Sequence, residues 1–373
     1  MDRRQFIEKS TLAAASFAAT SIPPAITAGT GFRLAGTGTG QEPPRYRPLS
    51  RSGMGGVAAG NAFHINPDPE CLQAMEAAWA AGVRYFDTSP WYGLGLSERR
   101  FGYFLHNHKR EDYTLSTKVG RLLTADADFV LKRDLWKGKL NFSYRYDYSA
   151  AGVRRSIEDS LQRLGLPYLD IVYIHDISPD NGDMKENWLK YFDEAAKGAM
   201  PELTRMRREG IIKAWGLGVN TLEPALRAIQ VADPDIFLSA TQYSLIKHED
   251  ALERLFPVCE QKGISVVVGA PLNAGFLAGI ERYDYSGSFP SGVREKRDKL
   301  RTIAAKHGID LRTAALQFAA APSVVSAVIP GSHTARQASE NAASFKAVIP
   351  EAFWEELKNE KLIADRAPLP PAS

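Results

Sequence analysis

The chain has 373 residues, of which 44% are hydrophobic, and a net charge of +3 at pH 7. This length fits one large α/β barrel or two ordinary domains. The basic residues are spread along the chain, which excludes a clustered nucleic-acid-binding stripe, and no internal segment is apolar enough to predict a membrane span. Cys71 and Cys259 have neither metal-ligand spacing nor a disulfide framework, so we expect two buried thiols and no metal site.

The first segment, 1–28, is typical of a twin-arginine export signal. Arg3 and Arg4 precede a Phe6–Ile7 pair and a weakly apolar, alanine-rich run. This pattern predicts a periplasmic location reached through the twin-arginine export machinery; the alternative is a tail on a cytoplasmic protein. Residues 29–48 are rich in Gly, Thr and Pro and are interpreted as a linker. A folded domain is expected over 49–365, with a tail at 366–373.

From residue 49 onward, short apolar runs alternate with helical patterns. The runs contain many Val, Ile and Tyr residues with little alternation, as expected of parallel strands buried on both faces. Helices are predicted at 68–81, 153–165, 187–209, 248–262 and 293–307. Strands are predicted within SRSGMGGVA, VRYFDTS, YTLSTKV, LDIVYIHD, IKAWGLGVN, IFLSATQYS, ISVVVGAP and VSAVIPGS.

Eight strands that alternate with helices predict a single-domain α/β fold, a (β/α)8 TIM barrel. A doubly wound sheet is the second interpretation. It is disfavoured because no Gly-x-Gly-x-x-Gly motif opens a helix after the first strand.

Polar residues recur where the predicted strands end: Asp87, Lys118, His175, Asn220 and Gln242. Catalytic groups of such barrels gather at the carboxyl ends of the strands, so these side chains are expected to meet at one mouth.

Asp87, Lys118 and Tyr92 form a plausible acid–base set. An isolated tyrosine has a pKa near 10, and a neighbouring ammonium lowers it by stabilising the phenolate. Asp87 would hold Lys118 charged, while a neutral His175 would hydrogen-bond the substrate oxygen. This set suits proton transfer at a carbonyl or hydroxyl, coupled to hydride transfer. Each residue alone also has a structural interpretation: a barrel-mouth ion pair for Asp87 and Lys118, a packing aromatic for Tyr92, and a strand-end histidine for His175.

The motifs YFDTSPWYGLGLSERRFG and IEDSLQRLGLPYLDIVYIHD, with the four residues in that order, resemble the aldo-keto reductase family over about residues 49–350. The resemblance implies a (β/α)8 barrel, a catalytic tetrad of Asp87, Tyr92, Lys118 and His175, and an extended NAD or NADP across the mouth. It also implies cofactor-binding roles for several residues in three segments. They are Asn220 and Gln242 at the carboxamide, Leu272, Asn273 and Gly275 at the pyrophosphate, and Gly331, Ser332, Gln337, Glu340 and Asn341 at the adenosine.

The chain departs from the family pattern in ways that bear on the cofactor. Val219 stands where the family usually has a serine before the carboxamide-binding asparagine. Gly269 stands where family members commonly have an aromatic residue that stacks on the nicotinamide. The basic residues that bind the 2′-phosphate fall at Gly331 and Gln337. Losing two charge-assisted contacts weakens phosphate binding, so NAD is favoured, although Arg336 lies one position away and could compensate.

The GLGVN and GAPLNAG segments resemble a subgroup of aldose dehydrogenases acting on L-fucose, D-arabinose or L-galactose, together with pyridoxal dehydrogenase. The resemblance implies that a cyclic hemiacetal is oxidised to a lactone, with Tyr92 as base. Trp91 and Trp136 are candidate substrate contacts; Trp136 lies in an aromatic-rich insertion after Lys118, which could instead pack on itself. The alternatives are an NADPH-dependent general aldehyde or ketone reductase, and a nucleotide-sensing binding module related to channel regulatory subunits.

Overall fold

The computed structural model describes residues 45–133, 135–285 and 288–371. The predicted export signal at 1–28 and most of the predicted linker therefore lie outside the described residues. Within the described ranges, no helix is both long and apolar enough to cross a membrane.

Eight parallel strands form the barrel that the sequence predicts. Their order in the sheet is β1, β2, β3, β6, β7, β8, β9, β10. Isolated parallel bridges from Ser52 to Val328 and from Gly55 to Gly331 join the first strand to the last and close the cylinder. The strands are β1 (Gly53–Gly55), β2 (Tyr85–Asp87), β3 (Thr114–Val119), β6 (Ile171–His175), β7 (Ala214–Val219), β8 (Ile236–Ala240), β9 (Ser265–Gly269) and β10 (Val325–Ile329).

Two further strands were not predicted. β4 (Arg121–Ala125) and β5 (Phe142–Tyr146) pair antiparallel as a hairpin inserted between β3 and the next helix. The five residues of β5 alternate aromatic with polar or charged side chains, a pattern typical of a partly exposed strand. The insertion therefore has its own secondary structure above the barrel.

The helices surround the barrel and bury one face each against it. The predicted helix at 187–209 is two helices that meet at Gly198, and the predicted helix at 248–262 begins as a π-helix over Ala251–Leu255. The helices are α1 (Asp68–Ala80), α2 (Leu96–Leu105), α3 (Ala150–Leu164), α4 (Trp188–Lys197), α5 (Ala199–Arg208), α6 (Glu223–Val231), α7 (Phe256–Gln261), α8 (Val293–Lys306), α9 (Leu311–Ala320), α10 (Ala335–Ser344) and α11 (Glu351–Asn359). Short 3₁₀ turns lie at Ala58–Gly60, Arg110–Asp112, Lys185–Asn187 and Phe276–Ala278.

Helices α2 and α3 touch at a glycine. A Cβ atom on Gly102 would lie 2.1 Å from the carbonyl oxygen of Leu164, so only glycine allows this close approach. This contact holds α2 close to α3, and α2 directly follows the loop that carries Tyr92.

The barrel interior contains more hydroxyl groups than the branched aliphatic layers usual in this fold. The hydroxyls of Tyr85 and Tyr173 lie 3.3 Å apart, and that of Tyr85 lies 3.0 Å from the Ser116 hydroxyl. All three side chains are fully buried. A string of hydroxyls therefore rises from the barrel core towards Asp87.

Both ends of the described chain contact the barrel. Tyr46 accepts a hydrogen bond from the Ser265 hydroxyl at the start of β9, and Ala367 is buried. The boundaries drawn at residues 48 and 365 stay predictions.

Candidate active site

Asp87 and Lys118 form a buried ion pair at the carboxyl ends of β2 and β3. Lys118 Nζ donates to Asp87 Oδ1 at 3.0 Å, to Oδ2 at 2.8 Å and to the Thr88 carbonyl at 2.8 Å. Ser116 donates its hydroxyl hydrogen to Asp87 Oδ1 at 2.7 Å. A buried charge needs such complete pairing. Burial raises the pKa of Asp87, and its contacts with Lys118 and Ser116 oppose that shift.

Tyr92 lies against this pair. Lys118 Nζ is 4.6 Å from the centroid of the Tyr92 ring, and its three hydrogens are all directed to Asp87 and Thr88. Burial raises the pKa of Tyr92 well above its ordinary value; the charges of Asp87 and Asp176 and the Tyr285 phenol raise it further, while Arg121 lowers it. The expected lowering of this pKa by Lys118 is therefore not what sets it; burial dominates. In the ligand-free protein Tyr92 is a phenol, ready to donate a proton.

His175, the last residue of β6, completes the set. Its ring centroid lies 5.9 Å from that of Tyr92 in an edge-on arrangement. Burial, Arg121 and Lys118 lower the pKa of His175 well below its ordinary value, so the imidazole is neutral. The tyrosine hydroxyl and the imidazole thus face one cavity. This is where a substrate oxygen would receive or lose a proton.

The cavity at the barrel mouth has a volume of about 1160 Å³ and is lined by all four of these residues. It exceeds the 300–1,000 Å³ typical of small-ligand pockets. It continues from Lys118 along the ends of β7 to β10 and reaches α10. Seven of the expected cofactor residues line it: Asn220, Leu272, Gly275, Gly331, Gln337, Glu340 and Asn341.

The other three expected cofactor residues lie behind that wall and support it. Gln242 donates its amide hydrogen to the Asn220 carbonyl, and Asn273 donates to Asp284 Oδ1 at 3.0 Å. Ser332 accepts a hydrogen bond from Asn341 Nδ2 at 3.0 Å. Gln242 and Ser332 are thus bonded to neighbouring protein groups, whereas Oδ1 of Asn273 is buried without a hydrogen-bond partner among the described residues.

The elongated cavity fits a nicotinamide dinucleotide. Gly218 and Gly269 line it without side chains, and Asn220 and Asn341 contribute amide groups to its wall. Arg282 and Lys247, which the sequence reasoning missed, add positive charge along the same wall. A dinucleotide needs this combination, because its pyrophosphate is anionic and its carboxamide seeks amide partners.

The hairpin strands and the loop that joins them form part of the cavity wall. Trp91 packs edge-on against Trp136 at 5.8 Å and against Tyr144 at 4.8 Å between ring centroids. Trp136 also contacts the ring of Tyr92 at 5.6 Å. Both tryptophans line the cavity, and the indole N–H of Trp136 has no hydrogen-bond partner among the described residues. Arg133 reaches across to the carbonyl of Tyr285, which also lines the cavity.

No cluster of three His, Cys, Asp or Glu side chains within the described ranges could hold a metal ion. Both cysteines are buried and unpaired.

Comparison with known proteins identifies relatives along almost the whole described chain. The model of the Aldo/keto reductase family matches residues 52–360. The chain is 35% identical to D-threo-aldose 1-dehydrogenase from a Pseudomonas species, over 83% of this chain and 94% of the relative. It is 34% identical to pyridoxal 4-dehydrogenase from Microbacterium luteolum, over 90% and 96% respectively.

Among solved structures, the chain resembles the holo form of an aldo-keto reductase from Bacillus halodurans. The TM-score is 0.62 at 23% identity, over 85% of this chain and 94% of that one. This likeness confirms the predicted barrel fold.

Proposed function

Because this chain belongs to the aldo/keto reductase family, and is an NAD(P)-dependent oxidoreductase, we propose that it oxidises the anomeric carbon of an aldose or the hemiacetal form of pyridoxal. One observation carries the proposal. The buried Asp87–Lys118 pair, Tyr92 and His175 converge on a single cavity that is large enough for a dinucleotide and a substrate.

In the proposed reaction, Tyr92 exchanges a proton with the substrate oxygen. During oxidation Tyr92 first loses its proton to solvent; the resulting phenolate takes the anomeric O–H proton, the C1–H bond breaks with loss of hydride, and a lactone forms. During reduction Tyr92 donates its proton to the carbonyl oxygen. His175 hydrogen-bonds the same oxygen and orients it, and Lys118 offsets negative charge that develops on Tyr92. The bound nicotinamide supplies or accepts the hydride.

Asn220 and Gln242 would hold the carboxamide, Leu272, Asn273 and Gly275 the pyrophosphate, and Gly331, Ser332, Gln337, Glu340 and Asn341 the adenosine. Trp91 and Trp136 would stack on the substrate ring. Both indoles line the cavity, and that of Trp136 lies against the Tyr92 ring, which supports this role.

The test is reduced-nicotinamide absorbance on mixing the protein with NAD or NADP and a panel of L-fucose, D-arabinose, L-galactose, D-galactose and pyridoxal. The expected result is turnover that the Tyr92→Phe variant loses while its cofactor affinity is kept. Unchanged turnover in Tyr92→Phe would contradict the role of Tyr92.

A general aldehyde reductase using NADPH is the second candidate, because the Tyr92 phenol is already in the acid form that reduction needs. No turnover of any sugar in the panel, together with rapid aldehyde reduction by NADPH, would favour the reductase. Slow turnover in both directions with very tight cofactor retention would instead favour a nucleotide-sensing module.

We also propose that NAD is preferred to NADP. The arginines that line this end of the cavity face carboxylates: Arg312 pairs with Glu340 and, at 2.9 Å, with Asp310. Arg336, which could have compensated, is exposed and lies 3.8 Å from Glu340. A 2′-phosphate placed near Glu340 would meet a carboxylate without a free cation beside it.

Steady-state kinetics with each cofactor test this preference. Wild type should show the higher kcat/KM with NAD. Gln337→Arg should raise kcat/KM for NADP by about tenfold or more, since one charge-assisted contact contributes about 1.5–3 kcal/mol. Gln337→Met, of similar length but uncharged, is the control. Equal efficiency with both cofactors in wild type would contradict the proposal.

Periplasmic export through the 1–28 segment also stays a proposal. Cell fractionation should find the protein in the periplasm, and Arg3→Lys with Arg4→Lys should retain it in the cytoplasm. A wild-type protein confined to the cytoplasm would favour the alternative.

A further inference from the structure

Arg121, the first residue of β4, is a buried cation on the cavity wall, and the proposed reaction gives it no role. Its side chain is 4% exposed. Arginine is rarely buried to this extent, because desolvating a guanidinium is costly unless partners surround it. Its partners therefore indicate what it does.

Three groups fix the guanidinium in place. Nη1 lies 3.0 Å from Asp176 Oδ2, and Nη2 donates to the Tyr146 hydroxyl at 3.0 Å. The guanidinium carbon also lies 4.7 Å from the centroid of the Trp91 ring. Such stacking and pairing leave the planar group little freedom to turn.

The same Nη1 donates to Nδ1 of His175 at 3.3 Å. A guanidinium has only donors, so Nδ1 must be the acceptor and cannot carry a hydrogen. With no hydrogen on Nδ1, the Ser89 hydroxyl, 3.1 Å away, donates to the same nitrogen. A neutral imidazole holds one N–H, which is therefore on Nε2.

Nε2 is the ring nitrogen left for the substrate. The Nδ1 edge is occupied by Arg121 and Ser89, while His175 lines the cavity and faces Tyr92. Asp176 Oδ1 is 3.4 Å from Nε2, beyond a good hydrogen bond. A substrate oxygen beside Tyr92 would thus meet an N–H donor.

We propose that Arg121 is a positioning residue that locks His175 in its neutral Nε2–H form, so that the imidazole donates to the substrate oxygen. This inference rests on the proposed function for its last step only. Asp176, which orients Arg121, has a backbone φ of 52°, a left-handed conformation uncommon for a residue other than glycine. The fold accepts this conformation where the carboxylate meets Arg121.

The charges around His175 oppose a second proton. Arg121 of β4 and Lys118 of β3 are cations, Asp176 is the adjoining carboxylate, and Tyr92 and Ser89 of the loop after β2 are neutral. A hydrogen added to Nδ1 would point at the guanidinium. Removing the Arg121 charge should leave Asp176 beside the ring and let the imidazole protonate.

The primary experiment is nitrogen-15 NMR of histidine-labelled full chain without substrate, from pH 5 to 9. His175→Gln identifies the His175 signal by its loss. In wild type we expect a protonated Nε2, an unprotonated Nδ1 and no titration. An Nδ1–H form, or an imidazolium within this range, would overturn the proposal even if no variant folds.

Arg121→Met removes the donor and the charge but keeps a long apolar stem. We expect its His175 signal to shift towards a tautomer mixture and to titrate, with at least a tenfold loss in kcat and an unchanged KM for the cofactor. Arg121→Lys should recover part of the activity. Arg145→Met is the matched control, because it removes an exposed arginine of the same hairpin that pairs with Asp147 and not with His175, and its His175 signal should match wild type.

An Arg121→Met protein whose His175 signal is unchanged would also overturn the proposal. A failure of the proposed function would give a different result. Wild type would then turn over none of the substrates, while the NMR spectrum would still show the expected His175 tautomer.

Discussion

The Asp87 carboxylate has two kinds of partner, the ammonium of Lys118 at the cavity and the hydroxyl of Ser116 on the side of the barrel core. Lys118 supplies the charge, and Ser116 supplies the hydrogen bond that keeps Oδ1 paired. The Ser116 hydroxyl is in turn linked to Tyr85 in the barrel core. The geometry of this carboxylate therefore depends on polar groups that lie deeper than the cavity wall.

Replacing Ser116 by alanine should leave Asp87 Oδ1 with one partner fewer in a fully buried place. We expect a loss of about 1–3 kcal/mol in the free energy of unfolding, measured by denaturant titration, because an underpaired buried charge is costly. Tyr85→Phe, which removes the next hydroxyl but leaves the Ser116–Asp87 bond, should cost less. A larger loss for Tyr85→Phe would contradict this order.

The raised pKa of Tyr92 predicts opposite pH dependence for the two reaction directions. Oxidation needs the phenolate, so its kcat should rise with pH from 6 to 9, whereas reduction needs the phenol and should not rise. Stopped-flow or steady-state rates in both directions measure this. Oxidation that reaches a plateau below pH 7 would show that the pKa of Tyr92 is lowered instead.

At the residue scale, the sequence predicted the site residues that lie at strand ends. It missed the residues that contact and orient those side chains. Asp87 and His175 end their strands and Lys118 is the last residue but one of β3, so a list of strand ends finds all three. Ser116 lies inside β3, and Arg121 begins a hairpin that had no signal as a strand. Their importance comes from contacts with residues far away in the sequence.

At the scale of elements, a buried histidine contributes to holding the last part of the chain in place. His248, between β8 and the π-helix, accepts a hydrogen bond on Nε2 from the Ala364 amide at 3.0 Å, and Nδ1 bonds the Ser244 carbonyl at 3.0 Å. Burial lowers the pKa of His248 to about 4; the carboxylate of Glu249 opposes this shift and Lys296 adds to it.

This depressed pKa predicts acid sensitivity. The unfolded chain binds a proton near pH 6.5 and the folded chain only near pH 4, so stability is present above 6.5 and is lost as pH falls towards 4. The loss from this group should be about 2–4 kcal/mol. His248→Gln should unfold more easily at pH 7 yet lose less stability between pH 6.5 and 4. Parallel curves for the two proteins, from urea unfolding at each pH, would contradict this.

Elements were predicted well where a strand or helix is regular and buried, and poorly where it is interrupted. All eight barrel strands fall within predicted segments, because burial on both faces leaves continuous apolar runs. The break at Gly198 was missed since apolar residues on both sides continue a helical spacing. The β4–β5 hairpin was missed because its aromatic residues fit a loop equally well.

At the scale of the whole molecule, the cavity joins the catalytic strands to α10 on the far side of the mouth. A ligand that fills it contacts both, so it should stabilise the folded chain by mass action. At one hundred times its dissociation constant, a bound cofactor adds about 2.7 kcal/mol. We expect a clear rise in melting temperature with NAD and a smaller one with NADP at equal concentration. No shift with either, by differential scanning fluorimetry, would contradict the cofactor assignment.

The first and last residues of the β4–β5 hairpin are neighbours, since Arg121 pairs directly with Tyr146. The residues between them can therefore be exchanged for a hairpin of another sequence without pulling the barrel strands apart. Because this segment lines the cavity, we expect a graft of the hairpin interior to change which molecules bind and to leave the proposed proton and hydride chemistry in place. A change of substrate preference would then need substitutions in one segment only, and none at the strand ends below it.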